Sequence, residues 1–215
     1  MAGNSEKIEI TWHGHSCFTI TYNGYSIVTD PYTGVPGYPP LSLKADEVFC
    51  SHGHGDHSYT PAVDTSGAKK ALPFKVTETE CFHDDKHGAL RGKCVIRIFE
   101  AGGLRVAHLA DLGEMPDKET IEKLSGLDCA LIPVGGYYTI GGSTAYEVME
   151  RINPTVTVPM HYRFGKYGYS EISGPDDFLA RVNDRPVIKT ESTFEIGGND
   201  RCVIVPAFEG MTNEF

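Results

Sequence analysis

The stretch SHGHGDH (residues 51–57) places three histidines and one aspartate within six consecutive positions, directly after the apolar segment Glu47-Val-Phe-Cys50. A helix through these residues is disfavoured, because Gly53 and Gly55 would each cost about 1 kcal/mol there. In a loop the two glycines tolerate unusual backbone angles, so that His52 and His54 can turn towards one ion. A lone His-x-His pair would fit a solvated loop equally well, but the full pattern after an apolar strand favours a metal site.

The composition excludes several classes of protein. The 215 residues predict a single domain over 1–215, and 40% hydrophobic and 22% charged residues are ordinary for a globular chain. A net charge of −10 argues against nucleic acid or an anionic membrane as a partner. No signal peptide or apolar span is evident, and the six scattered cysteines fit buried free thiols, so we expect a cytoplasmic protein. The sequence leaves homo-oligomer formation open.

Local patterns predict hairpins first and alternating strands and helices later. Asn23-Gly24 separates two short segments rich in β-branched and aromatic residues, which is typical of a hairpin. Gly102-Gly103 predicts a second hairpin, and Pro31 to Leu43 an irregular loop. The later half predicts helices over 117–124 and 145–152 and buried strands over 128–134 and 155–160. This order indicates a layered α/β structure.

Several motifs resemble the metallo-β-lactamase superfamily, whose defining pattern is His-x-His-x-Asp-His after a core strand. Within it, the chain is similar to small metal-dependent hydrolases allied to the ascorbate-6-phosphate lactonases. The segments that carry this narrower resemblance are Trp12-His-Gly-His15, Thr29-Asp-Pro31, His83-Asp84-Asp85, Leu90-Arg-Gly-Lys93, His108-Leu-Ala-Asp-Leu-Gly113, Ile132-Pro-Val-Gly-Gly136 and Pro159-Met-His-Tyr162. The resemblance covers almost the whole chain and implies a four-layer αββα sandwich.

The resemblance also implies two metal sites. One would use His52, His54 and His83; the other would use Asp56, His57 and His161, and Asp111 would bridge them. Asp30, His15 and His108 are expected to lie around these ligands without binding metal, with Asp30 orienting imidazoles. His83 and His87 are four residues apart, so the choice between them stays open. Ala110 departs from the family pattern, in which glycine is frequent before the bridging aspartate.

Two divalent ions would set the chemistry. They can share a water, lower its pKa towards about 7 and supply metal-bound hydroxide at neutral pH. Zinc suits the nitrogen-rich donor set, and manganese or iron could also occupy it. Asp56 and Asp111 are the expected catalytic carboxylates, and Tyr162, Arg163 and Arg91 are the expected substrate contacts.

The sequence therefore predicts a binuclear hydrolase that cleaves an ester, lactone or phosphodiester bond of a small molecule. Two alternatives stay open. One is a nuclease, which the net charge and the short chain disfavour. The other is a metal-binding or di-iron redox module without hydrolytic turnover.

Overall fold

The computed structural model describes residues 6–68 and 71–208. Its strands are β1 (Ile8–Gly14), β2 (Cys17–Tyr22), β3 (Tyr25–Thr29), β4 (Leu43–Lys44), β5 (Glu47–Phe49), β6 (Val63–Asp64), β7 (Lys75–Phe82), β8 (Lys93–Ala101), β9 (Leu104–His108), β10 (Cys129–Pro133), β11 (Val156–Met160), β12 (Val187–Thr190), β13 (Thr193–Ile196) and β14 (Cys202–Pro206). The α-helices are α1 (Lys118–Lys123), α2 (Gly142–Ile152) and α3 (Asp176–Leu179), and one 3-10 turn spans Thr60–Ala62.

The first sheet has the strand order β13-β1-β2-β3-β5. Its centre is the predicted hairpin, in which Asn23 and Gly24 take left-handed φ angles of 50° and 70°. Two consecutive residues of this kind form the turn whose twist matches that of the flanking strands. β13 adds to β1 in antiparallel fashion, and β5 adds to β3 in parallel at the opposite edge.

The second sheet has the order β12-β14-β11-β10-β9-β8-β7. β7, β8 and β9 form an antiparallel meander. In the rest of the sheet, β9, β10, β11, β14 and β12 lie side by side in this order and each pairs in parallel with the next. Every residue of β10, β11 and β14 is buried. Such continuous burial is typical of parallel strands that are covered on both faces.

The two sheets pack against each other around one hydrophobic cluster that draws on both. Across this interface the rings of Phe49 on β5 and Phe99 on β8 lie 5.3 Å apart, in an edge-to-face arrangement. Helix α2 packs on β10 and against α3. The α/β class predicted from the sequence is confirmed, and the helical part is small.

The ends of the strands bring the polar motifs together. Asp30 follows β3, the 51–57 loop follows β5, and His83 follows β7 directly. Asp111 lies three residues beyond β9, and His161 follows β11. The site is therefore assembled at one edge of the sandwich from loops that both sheets hold in place.

The structure corrects one strand and adds several elements. β5 is only half-buried, not buried as predicted, because it is the edge strand of the first sheet. The sequence patterns did not predict α3, β12, β13 or β14. Among residues 6–68 and 71–208, the helices are too short or too polar to cross a membrane.

Candidate metal centre

The first group of donors consists of His52, His54 and His83, whose ligand atoms lie within 4.8 Å of one another. His52 Nε2 and His54 Nδ1 are 3.0 Å apart. The Nδ1–H of His83 donates to the Tyr138 carbonyl at 3.1 Å, which leaves its Nε2 free to face the other two rings. Three imidazoles around one point are typical of a zinc site.

The second group consists of His15, Asp56, His57 and His161, again with donor atoms within 4.8 Å of one another. His15 Nε2 lies 3.4 Å from Asp56 Oδ2, and the rings of His15 and His161 are 4.0 Å apart. From the sequence, His15 is expected to lie around the ligands without binding metal. The structure instead places it among the donors.

Asp111 lies between the two groups. Its Oδ2 is 3.1 Å from His57 Nε2, 3.4 Å from His83 Nε2 and 3.3 Å from His161 Nε2. One oxygen is therefore close to ligand atoms of both donor groups. This is the position expected of a carboxylate that bridges two ions.

Several of these buried atoms have no hydrogen-bond partner among residues 6–68 and 71–208. They are both ring nitrogens of His15, both ring nitrogens of His161, Nε2 of His57 and Oδ1 of Asp111. A buried polar group without a partner costs about 1–3 kcal/mol. The donor set therefore fits bound metal ions, which would satisfy these atoms.

Asp30 orients two ligands at once. Its Oδ2 accepts from His57 Nδ1 at 2.8 Å and from the Ser51 hydroxyl at 2.6 Å. Ser51 Oγ in turn lies 2.9 Å from His52 Nδ1. Both imidazoles are thereby held with Nε2 directed away from Asp30, as expected of a carboxylate behind metal-binding histidines.

His108 supports the loop that carries Asp111. Its Nε2 donates to the Ser16 carbonyl at 2.9 Å, and its Nδ1 accepts from the Ala110 amide at 3.1 Å. Both ring nitrogens are used, so His108 is not a free donor. The structure places His108 outside both donor groups.

Four residues of the site have left-handed backbone angles, which are uncommon for residues other than glycine. The φ values are 51° for His15, 45° for Asp30, 52° for Ala110 and 51° for His161. The angle at Ala110 explains why glycine suits this position in the family. Strained backbone of this kind clusters at functional sites, where the surrounding structure enforces it.

Burial and charge set the protonation of the donors. Burial and the neighbouring His161 lower the pKa of His15 to about 3, and burial with His57 nearby lowers that of His52 to about 4. Burial opposes ionisation of His57 as well, but Asp111 and Asp30 outweigh it and raise its pKa well above the usual value. His161 and His57 hold the pKa of Asp111 well below its usual range despite burial. The His15 and His52 imidazoles are thus neutral near pH 7 and ready to bind metal.

The donors open into a cavity of about 290 Å³. Its walls are His54, Asp56, His83, Arg91, Asp111, Tyr138 and Tyr169. A larger cavity of about 640 Å³ shares Arg91 and Tyr138 with it. The Arg91 guanidinium lies 5.8 Å and 5.3 Å from the ring centres of Tyr137 and Tyr138.

Tyr169 was not expected at the site, because nothing in its local sequence pattern indicates that its loop returns to the metal centre.

The structure places two of the predicted substrate contacts outside the two cavities described above. Tyr162 is fully buried and its ring stacks on Trp12, so it belongs to the core. Arg163 is exposed and lines neither of the two cavities described above. Of the three predicted contacts, the structure places only Arg91 beside the donors.

The remaining histidines are separated from the donor groups. His87 is largely exposed and its Nδ1 pairs with Glu114 Oε2 at 3.2 Å, so the geometry favours His83 as the ligand. His13 Nε2 lies 2.7 Å from the Thr19 hydroxyl. The two loop glycines do not adopt the unusual backbone angles expected from the sequence, because neither Gly53 nor Gly55 has a left-handed φ angle.

Comparisons with known proteins agree with this geometry. Residues 9–161 match the family model described as the beta-lactamase superfamily domain. A UPF0173 protein of Pyrococcus abyssi is 30% identical over 213 residues, which cover 87% of this chain and 98% of the relative. A UPF0173 metal-dependent hydrolase of Caldivirga maquilingensis is 31% identical over 189 residues, covering 71% of this chain and 81% of the relative.

Solved structures show the same fold. A Thermotoga maritima protein, provisionally assigned as a Zn-dependent hydrolase of the metallo-β-lactamase superfamily, aligns with a TM-score of 0.69 and 28% identity. The alignment covers 93% of this chain and 98% of that one. An isothiocyanate hydrolase from Delia radicum gut bacteria aligns with a TM-score of 0.62 but only 13% identity, which shows the fold alone. Relatives such as the Caldivirga maquilingensis protein are named metal-dependent hydrolases, and the chain belongs to the metallo-β-lactamase superfamily.

Proposed function

We propose that this metal-dependent hydrolase binds two divalent ions and cleaves an ester, lactone or phosphodiester bond of a small, negatively charged molecule. The observation that carries the proposal is the position of Asp111 Oδ2, which lies within 3.4 Å of ligand atoms from both donor groups. The first ion would be held by His52, His54 and His83. The second would be held by Asp56, His57, His161 and also His15, in addition to the shared Asp111.

The donor chemistry favours zinc, with manganese or iron as the other metals that such a set accommodates. When bound, the ions supply Lewis acidity towards a carbonyl or phosphoryl oxygen and an activated water. The protein supplies the rest. Asp56 both belongs to the second donor group and lines the cavity, so its carboxylate is placed to orient the attacking water or accept its proton.

The cavity indicates the substrate class. A volume of about 290 Å³ suits a small molecule rather than a polymer. Among the residues that line it, Arg91 is the one with a permanent positive charge. Its guanidinium is held beside Tyr137 and Tyr138, where it can bind a carboxylate or phosphate with two parallel hydrogen bonds. A substrate with an anionic group at a short distance from the cleaved bond fits this arrangement. Kinship with the ascorbate-6-phosphate lactonase group stays a prediction.

A hydrolysis panel tests the proposal. Zinc-loaded protein is assayed against small esters, lactones and phosphodiesters, each with and without an anionic group, and against single-stranded nucleic acid. His83→Ala and His87→Ala form a matched pair, because both remove an imidazole from one loop and only His83 is a donor. We expect turnover of an anionic small molecule that chelator and His83→Ala abolish and His87→Ala preserves.

Other outcomes would favour the alternatives. Cleavage of nucleic acid alone would identify a nuclease. Zinc-loaded protein without turnover on any member of the panel would favour a metal-binding module, and two bound iron ions with reversible reduction would favour a redox centre.

A further inference from the structure

Two of the six cysteines lie opposite each other in the second sheet. Cys81 on β7 and Cys94 on β8 are direct partners in the antiparallel ladder. Their sulfurs are 3.2 Å apart, and the Cys81 thiol also lies 3.4 Å from the Cys94 carbonyl. The sequence indicated six scattered thiols, because the residues of this pair are separated by thirteen positions and only strand pairing brings them together.

The geometry suits a covalent bond between these sulfurs. A disulfide needs a sulfur–sulfur distance of about 2.05 Å and α-carbons separated by roughly 4.4–6.8 Å. Directly opposite residues in an antiparallel pair have α-carbons about 4.5–5.5 Å apart, which lies within this range. From 3.2 Å the sulfurs need to approach by only about 1 Å, which rotation of the side chains can supply.

The two thiols differ in access. Cys81 is half-buried and lines a surface cavity of about 170 Å³, together with residues such as Phe82 and Glu114. Cys94 is 1% exposed. An oxidant in solution therefore reacts with Cys81 first. The buried Cys94 is then placed to form a disulfide with the oxidised Cys81 sulfur.

The pair lies directly behind the metal centre. Cys81 is two residues before His83, a donor of the first group. The Gly113 amide, two residues after Asp111, donates to the carbonyl of Phe82, the residue that follows Cys81, at 2.9 Å. The two thiols thus contact or adjoin the segments that carry one ligand of the first group and the shared carboxylate.

We propose that Cys81 and Cys94 are an oxidisable pair that hydrogen peroxide converts into a disulfide. Peroxide oxidises the Cys81 thiol to a sulfenic acid with release of one water. The Cys94 sulfur then attacks the Cys81 sulfur, a second water leaves and the disulfide forms. Two thiols lose two electrons in all, and the peroxide accepts them. A small thiol such as glutathione reverses the reaction by thiol–disulfide exchange.

The disulfide would also change the metal centre, a consequence that rests on the proposed function. Closing the disulfide would draw β7 and β8 together at Cys81 and shift the neighbouring Phe82, whose carbonyl holds the Gly113 amide of the segment that carries the shared carboxylate. Loss of such supporting contacts typically weakens metal affinity by about 10–100-fold. We expect the oxidised protein to bind zinc about tenfold more weakly than the reduced protein.

Peptide mapping after peroxide treatment of the full chain tests the pair. In wild type, the thiol titre should fall from six to four, since two of the six cysteines are consumed, and a Cys81–Cys94 cross-link should appear. Cys94→Ser should leave a sulfenic acid on Cys81 that dimedone traps, and Cys81→Ser should show neither product. Cys50→Ser is the matched control, because Cys50 is also half-buried, and it should retain the cross-link. Oxidation of Cys81 to a sulfinic acid without a cross-link, or a link between two chains, would overturn the proposal.

Zinc competition with a chromophoric chelator tests the coupling separately. Wild type should lose affinity on oxidation and regain it after reduction with a phosphine, whereas Cys81→Ser should not respond to peroxide. An unchanged affinity in cross-linked wild type would refute the coupling. Because the cross-link is read by mass, failure of zinc to bind at all would count against the proposed function and not against the thiol pair.

Discussion

At the scale of single residues, the site depends on how each imidazole is oriented. The Asp30 carboxylate accepts hydrogen bonds from His57 and Ser51. The Ser51 hydroxyl in turn contacts His52 Nδ1 and so fixes the orientation of that ring. One buried carboxylate thus supports a ligand in each donor group. Its role is separable from metal binding itself, because Asp30 belongs to neither group.

Asp30→Asn should weaken zinc binding by about 10–100-fold, since an amide cannot accept from all the donors that now converge on the carboxylate. A competition titration measures this affinity. Asp46→Asn is the control, because Asp46 accepts from the Ser26 amide and takes no part in either donor group. Equal affinities in the two variants would show that Asp30 does not orient the ligands.

Metal binding near pH 7 should release the proton that His57 carries in the metal-free protein. The raised pKa of His57 keeps this ring protonated in the metal-free protein, whereas the pKa values of about 3 for His15 and about 4 for His52 leave those rings neutral. Since metal displaces a proton, affinity should increase with pH until His57 deprotonates by itself. Calorimetry in buffers of different ionisation enthalpy counts the protons. Absence of release at pH 7 would contradict the raised pKa of His57.

The sequence predicted the ligands that stand in a recognisable motif. His52, His54, Asp56 and His57 share one loop, and that spacing is informative without any knowledge of the fold. His15 was placed outside the ligand set, because only the folded structure shows that both of its nitrogens are buried and lack a hydrogen-bond partner in the described part of the chain. Tyr162 was expected at the substrate because it follows a ligand in the chain, whereas the folded structure turns its side chain into the core.

At the scale of elements, strand ends hold the ligand loops, and close backbone contacts fix their spacing. Gly113 follows Asp111 by two positions and packs against the loop that begins at His83. A β-carbon at Gly113 would lie 2.2 Å from the Asp84 nitrogen and 2.4 Å from the His83 carbonyl carbon. The two ligand segments can approach each other only because this residue has no side chain.

Gly113→Ala should displace His83 and lose zinc from the first group, with destabilisation of about 1–3 kcal/mol from overpacking. Gly53→Ala is the matched variant, because a β-carbon there would meet no atom within 4 Å. We expect Gly53→Ala to retain zinc and stability. Metal analysis and urea unfolding measure both quantities, and similar behaviour of the two variants would contradict the contact argument.

The elements themselves were predictable where the pattern is local. The Asn23-Gly24 hairpin and the buried strands β10 and β11 have clear signals. β12 is mostly exposed, and β13 alternates over only four residues, so neither has a strong apolar pattern. β13 pairs with β1, which lies near the other end of the chain. The local sequence pattern contains no information about such a long-range pairing.

At the scale of the whole molecule, a chain with a net charge of −10 places an arginine at the mouth of its metal centre. Because the chain as a whole would repel an anion, we expect a small anionic substrate to be selected by the local charge of Arg91 and not by the net charge of the protein. The acidic donors Asp56 and Asp111 would be offset by the bound ions. Arg91 then sets the sign of the charge that the cavity prefers.

Arg91→Gln should lower kcat/KM for an anionic substrate identified by the panel, mainly through KM, and leave zinc content unchanged. Loss of a charge-assisted hydrogen bond costs about 2 kcal/mol, or roughly 30-fold. Arg163→Gln is the control, because Arg163 is exposed and outside the cavity. A neutral analogue of the substrate should respond little to either change. Equal effects on charged and neutral substrates would exclude Arg91 as the anion contact.

The central claim is that two donor groups share Asp111 and hold two ions. The most direct measurement is the metal content of protein saturated with zinc and then freed of excess metal, read by mass spectrometry of the native protein and by elemental analysis. Two zinc ions per chain are predicted. One ion per chain at saturation, or none, would contradict the account.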